Sequence, residues 1–171
     1  MDWIIQSERL NFRKINMDDF SNLKVILQDI EIMYAWEHAF TDDEVYEWIE
    51  KNMARYNSDG YSYFAAIDKK TNNFVGVIGP LVEEIEGVKY IGIAYILNKK
   101  YWGMGYATEG ATACINYAFD ILHADKIIAQ IRPNNLPSRR VAEKLNMKIE
   151  GQYIKNYNNT DMPHLIYSLT K

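Results

Sequence analysis

The chain has 171 residues, enough for one domain (1–171) with a real core and too few for two comfortable ones. Hydrophobic residues make up 48% and charged residues 25%, with a net charge of −4, which excludes a disordered chain and leaves no basic footprint for nucleic acid. A single cysteine, Cys114, excludes an internal disulfide, and no run approaches the roughly 18 apolar residues of a membrane span or a secretory leader, so a cytoplasmic protein is the expectation.

Arg9 to Ile15 alternates Leu10, Phe12 and Ile15 with polar residues and predicts a first strand. Asp18 or Asp19 then caps a helix carrying Phe20, Leu23, Ile26, Leu27 and Ile30. Thr41-Asp42-Asp43-Glu44 has the form of a capping box, starting a second helix that ends by Gly60. Three strands follow, Tyr61–Ile67, Phe74–Val82 and Tyr90–Leu97, the last two joined through Glu83–Gly87 as an antiparallel hairpin. A long helix opens near Gly105 with Ala107, Ala111, Cys114, Ala118, Ile121 and Leu122 as its apolar stripe, which reads Cys114 as an inert core thiol. Lys126–Ile131 is a strand, and Leu136–Leu145 a short helix with Pro137 in its first turn and Asn146 in left-handed position after it. Strands Met147–Tyr157 and His164–Leu169 close the chain around the turn 158–161. The order β-α-α-β-β-β-α-β-α-β-β is that of an α/β (mixed α+β) fold, with helices on both faces of a mixed sheet.

The stretch that carries chemistry is Ile96-Leu97-Asn98-Lys99-Lys100-Tyr101-Trp102-Gly103-Met104-Gly105-Tyr106-Ala107-Thr108-Glu109. A strand runs into a two-glycine loop and then a helix, whose free N–H groups and dipole suit a phosphate. It is neither a Walker A loop nor a dinucleotide fingerprint, since Thr108 stands where a third glycine belongs.

This segment resembles the pyrophosphate motif of the GNAT acetyltransferases, (Arg/Gln)-x-x-Gly-x-(Gly/Ala). Gly105 and Ala107 stand at its small positions and Trp102 at its Arg/Gln position, a substitution common in the subgroup similar to ribosomal-protein alanine acetyltransferases (RimJ/RimL-like). Asn135-Leu-Pro-Ser138-Arg-Arg-Val-Ala-Glu143-Lys144-Leu-Asn-Met resembles that subgroup's Asn-x-x-Ser-x-x-x-x-Glu-Lys-x-Gly-Phe, and the element order matches along essentially the whole chain. The resemblance implies one domain with a twisted, mostly antiparallel mixed sheet of six to seven strands and about four helices. It implies acetyl-CoA as cosubstrate, with no metal, and transfer of the acetyl group to an amine. Backbone groups at Ile96 and Leu97 would meet the pantetheine arm. Gly103, Met104, Gly105, Tyr106, Ala107 and Thr108, with Trp102 beside them, would hold the pyrophosphate. Asn135 would bind pantetheine, Ser138 would lie near the thioester sulfur, and Arg140 and Lys144 would reach phosphates, although a solvated helix face fits both equally. A homodimer is compatible with the subgroup.

The family often carries its basic Glu on the strand that here reads Ile91-Gly92-Ile93-Ala94-Tyr95, and Gly92 stands in that place. Ala142 stands where many members have an acidic tyrosine, which leaves Ser138 as the proton donor. The N–H near Leu97 would stabilise the oxyanion. Deprotonating a lysine-like amine at pH 7 costs about 4.6 kcal/mol and an α-amine about 1 kcal/mol, so the missing Glu favours a low-pKa amine or a base elsewhere. Glu37, His38, Glu84 and His164 are the candidates for it. His38, His123 and His164 have no metal-ligand spacing. The alternative is a degenerate module that binds CoA or a partner without turnover.

The acceptor is a small molecule or a peptide amine, and charge placement favours a cationic one. Between Val25 and Glu50 there are eight carboxylates and no Lys or Arg, whereas Gln130–Lys155 is basic. The acidic segment lies in the arm that resembles the family's acceptor side, and its field would draw in a cation.

Overall fold

The computed structural model describes residues 2–171. Eight strands form one sheet in the order β1-β2-β3-β4-β5-β6-β8-β7, one more strand than the upper expectation. The addition is β1 (Ile5–Gln6), two residues that pair with β2 (Leu10–Lys14) and are too short for a periodic signal. The other strands are β3 (Phe64–Asp68), β4 (Phe74–Ile85), β5 (Val88–Leu97), β6 (Lys126–Ile131), β7 (Lys148–Tyr157) and β8 (Thr160–Thr170). All pairs are antiparallel except β5 with β6.

Helices α1 (Phe20–Leu27), α2 (Asp42–Ser58), α3 (Tyr106–Asp120) and α4 (Leu136–Lys144) start near the residues whose side chains announce them. Thr41 and Glu44 form the expected capping box of α2. At α1 the cap differs: Asn16, not an aspartate, accepts from the backbone of a preceding 3₁₀ turn. Asp19 is instead buried, gripped by both terminal nitrogens of Arg13 at 2.8 and 2.9 Å, so its charge is matched rather than exposed. Asn146 takes the left-handed conformation, φ 63°, after α4. On the α3 stripe, Ala111, Cys114 and Ala118 are fully buried, but Ile121 is exposed because it lies past the last turn. Burial also raises the Cys114 thiol's pKa, so it stays protonated and inert.

Two features of the sheet position the site. The hairpin between β4 and β5 turns tightly at Glu86 and Gly87, both with positive φ, so Glu83 and Glu84 belong to the strand and not to the expected loop. In addition, β5 and β6 pair only at Ile91–Ile127 and Gly92–Ile128, then separate. Beyond Gly92 the edge of β5 that faces β6 is therefore open. No described helix is long and apolar enough to cross a membrane.

Candidate active site

Two cavities meet where β5 and β6 part. One, of about 430 Å³, runs from Leu97 past Trp102 to the start of α3. The other, of about 280 Å³, is lined by Glu83, Ile93 and Gln130 and by Trp48 and His164, while Trp36 borders both. Tyr95, Ile96, Asn135, Ser138 and Val141 border both.

The first cavity owes its shape to the backbone at Leu97 and at the two glycines. Asn98 donates to Val75 across to β4, so strand alternation turns the Leu97 N–H the other way, into the gap. Gly103 and Gly105 hold φ of 75° and 80°, which lets the chain reverse and present the first N–H groups of α3. A Cβ on Gly105 would lie 3.4 Å from the Arg9 guanidinium. Arg9 is a cation at this loop that spacing arguments could not reach. It stacks over the Tyr106 ring at 4.1 Å and pairs with Glu109 at 2.7 Å, which Ser7 also engages. The one carboxylate in the first turn of α3 is thus balanced, and the helix start stays favourable to anions.

Gly103, Gly105, Ala107, Thr108, Trp102 and Lys144 line this cavity, together with Ile96, Leu97, Asn135 and Ser138. Tyr106 lines it with its ring, but its hydroxyl turns inward to Asp68 at 2.6 Å. Met104 and Arg140 are exposed and line neither cavity. Trp102 donates its indole N–H to the Leu97 carbonyl at 3.3 Å, bracing the loop against the strand in place of the charge an Arg would bring. Asn135 caps α4, its Oδ1 accepting from the Ser138 N–H at 3.3 Å and from the Tyr34 hydroxyl, which leaves its amide N–H₂ unused at the junction. The Tyr95 hydroxyl is buried beside Ser138 without a well-formed hydrogen bond, and burial pushes it up to about 12, so it is a protonated donor.

The second cavity is lined by residues of five strands, two helices and the turns between them. Of the four candidate bases, only His164 lines it. Its Nδ1 contacts the Met162 carbonyl at 3.0 Å, and burial, then Lys155 and Arg132, hold it below the usual histidine range. Glu37 lies outside, left-handed after a 3₁₀ turn and paired with Arg132 at 3.3 Å. His38 is paired with Glu44 at 2.7 Å and also lies outside, and Glu84 is exposed.

The carboxylate in the cavity is Glu83, which the sequence reading passed over as part of a loop. Its Oε2 accepts from Gln130 at 2.8 Å, and Gln130 in turn accepts from the Tyr153 hydroxyl, while no hydrogen bond reaches Oε1 among the described residues. Burial pushes this carboxyl above the usual range, against the opposing pull of Lys155 and Arg55. A Cβ on Gly92 would fall 2.2 Å from the Glu83 Cγ. The glycine at the family's usual Glu position is thus the space through which a Glu from the neighbouring strand lies.

A family model described as the GNAT acetyltransferase domain matches residues 9–148. The protein YkkB of Bacillus subtilis is 30% identical over 94% of this chain and 92% of its own. A GNAT-family acetyltransferase structure from Bacillus anthracis superposes with a TM-score of 0.83 at 30% identity, covering 97% of each chain. The structure of ribosomal-protein-S5-alanine acetyltransferase from Vibrio fischeri gives 0.74 at 19% identity, over 96% of this chain and 94% of that one. With a strand splayed at Gly92, a glycine loop on a helix start and this match, the chain belongs to the GNAT acetyltransferases.

Proposed function

We propose that this acetyltransferase moves the acetyl group of acetyl-CoA onto a primary amine by direct attack, both substrates being bound at once. The observation that carries the reading is the pair of cavities sharing Tyr95, Ile96, Asn135, Ser138 and Val141, so that a thioester from one side and an amine from the other can meet. Residues 102–108, with Arg9 and Lys144, suit the phosphates of CoA, and the amide of Asn135 and the open backbone edge at Ile96 and Leu97 suit its pantetheine arm. Trp102 and the Asn135–Lys144 pattern support the ribosomal-protein alanine acetyltransferase-like subgroup.

Glu83 takes the proton from the amine as its nitrogen bonds to the carbonyl carbon. The raised affinity of Glu83 for protons matches this work, because a general base is most effective near the working pH. The Leu97 N–H faces the place where negative charge gathers on the carbonyl oxygen. The carbon–sulfur bond breaks, and the departing thiolate, ordinarily of pKa about 8.5, needs little help beyond the Ser138 and Tyr95 hydroxyls. Over the cycle Glu83 passes the amine proton to solvent, and the thiolate, hydrogen-bonded by the two hydroxyls as it departs, takes one proton from solvent, which leaves both hydroxyls unchanged.

Release of free thiol from acetyl-CoA in the presence of an amine panel tests the reading. Amine-dependent release is expected; tight CoA binding with no release across the panel would favour a binding module instead.

A further inference from the structure

The acceptor cavity holds more positive charge than amine transfer requires. Its charged lining consists of Arg55, Arg132 and Lys155 against Glu83 alone, with His164 held neutral by burial. None of the eight carboxylates between Val25 and Glu50 lines it. Several of those are engaged elsewhere: Asp29 and Glu31 with Lys99, Asp42 with Lys24, and Glu44 with His38. Four of the eight are thus paired away from the cavity, and Glu37 meets it only through its ion pair with Arg132.

The cations are not spread evenly. The register of β6 against β8, with Ile131 opposite Leu165, carries Arg132 toward His164, while Glu83 lies with Gln130 deeper in the sheet; the charge of Lys155 acts on both His164 and Glu83, and that of Arg55 on Glu83. Arg132 is the informative one. One terminal nitrogen donates to the Ala35 carbonyl at 3.1 Å and to the carboxylate of the exposed Glu37 at 3.3 Å, but its buried Nε has no acceptor among the described residues. A buried N–H of a charged group without a partner is costly, so the protein leaves part of the Arg132 guanidinium's hydrogen-bonding capacity unused. Between the two ends the walls are apolar and aromatic: Trp36, Trp48, Tyr63 and Ile93. The volume, about 280 Å³, suits a small molecule.

Resting on the transferase reading above, we propose that the acceptor is a small zwitterion, a primary amine whose molecule also bears a carboxylate or a comparable oxyanion. Its amine lies at Glu83 and its anion at the corner of Arg132, Lys155 and His164. A simple ammonium would meet Arg55, Lys155 and an Arg132 only partly compensated by the exposed Glu37, with Glu83 as its single partner, whereas a molecule with both charges satisfies both ends.

The test is thiol release by the full chain with the standard amino acids, each compared with its amide and its decarboxylated amine, and with spermidine and short peptides alongside. At least one amino acid should exceed its amide and amine by about 10-fold or more in kcat/KM, through KM. Arg132→Gln and Lys155→Gln should each bring that acid-over-amide ratio close to one, with CoA affinity measured by calorimetry as the check on the fold. Amides, amines or spermidine used as well as the acids would overturn the proposal and leave the transferase reading standing. So would an unchanged ratio in both variants, or peptides used equally with a free and an amidated C-terminus. No turnover of any acceptor by a chain that binds CoA would overturn the transferase reading, and this proposal with it.

Discussion

The two cavities of this acetyltransferase are made differently, although they share a wall. The one at the start of α3 centres on a continuous stretch, residues 95–108, whose two glycines with positive φ present the helix-start N–H groups, and residues of α4 complete it. The second cavity draws its polar groups from positions far apart in the chain: Arg55 on α2, Glu83 on β4, Gln130 on β6, Arg132 just past it, Lys155 on β7 and His164 on β8. A backbone-built site tolerates most side-chain changes and fails when the backbone cannot adopt its shape. A side-chain-built site fails one group at a time, and its specificity can drift without disturbing the first.

The largest effect should come from Gly105→Glu. It imposes a side chain on a left-handed backbone, crowds Arg9 and adds a negative charge where phosphate would sit, so CoA affinity should drop by about 100-fold or more. Calorimetry on a variant with intact circular dichroism checks this, and unchanged affinity would remove the cavity from the cofactor side altogether.

Glu83→Gln should strike the other cavity alone. We expect kcat/KM to fall by about 100- to 1,000-fold at pH 7 with CoA affinity unchanged. Arg55, Tyr63, Tyr153 and Lys155 are the titratable groups that face this carboxyl. Because burial raises its pKa, the wild-type rate should decline as pH falls through that raised value, and the Gln variant should lack this acidic limb. The sign for stability is opposite to that for activity. A group whose folded pKa is raised lends stability at low pH and withdraws it as pH rises, so Glu83→Gln should raise Tm at pH 7 and lose that advantage near pH 4. A variant less stable at neutral pH would mean the carboxylate serves the fold.

At the shared wall the effects shrink. Asn135→Ala removes a cap and the unused amide, and should weaken CoA binding by about 1–2 kcal/mol, or roughly 5- to 30-fold, with a small loss of Tm. Ser138→Ala should lower kcat by about 3- to 30-fold and leave CoA affinity alone, since Tyr95 offers a second hydroxyl beside it. Normal turnover in the double variant Ser138→Ala/Tyr95→Phe would sharpen the comparison by showing that the leaving thiolate needs no donor.

Much of the architecture was written in local pattern, because capping, turn chemistry and apolar periodicity act over a few residues. Thr41 and Glu44, Pro137, Asn146 and the paired asparagines 158 and 159 each sit where their own conformational preferences put a helix end or a turn. The glycine loop at 103–105 was legible for the same reason: it needs only its own backbone and the helix that follows. What only the tertiary structure decided is which side chains share the second cavity. Reading the β4–β5 turn as beginning at Glu83 hid that residue, whereas a turn at Glu86–Gly87 keeps it in the strand and lays it across Gly92. The exclusion of Glu37, His38 and Glu84, the balance of Glu109 by Arg9 across 100 positions, and the cations gathered around His164 are likewise matters of strand order. Side chains meet across a sheet according to pairing and twist, and neither is encoded in any one segment.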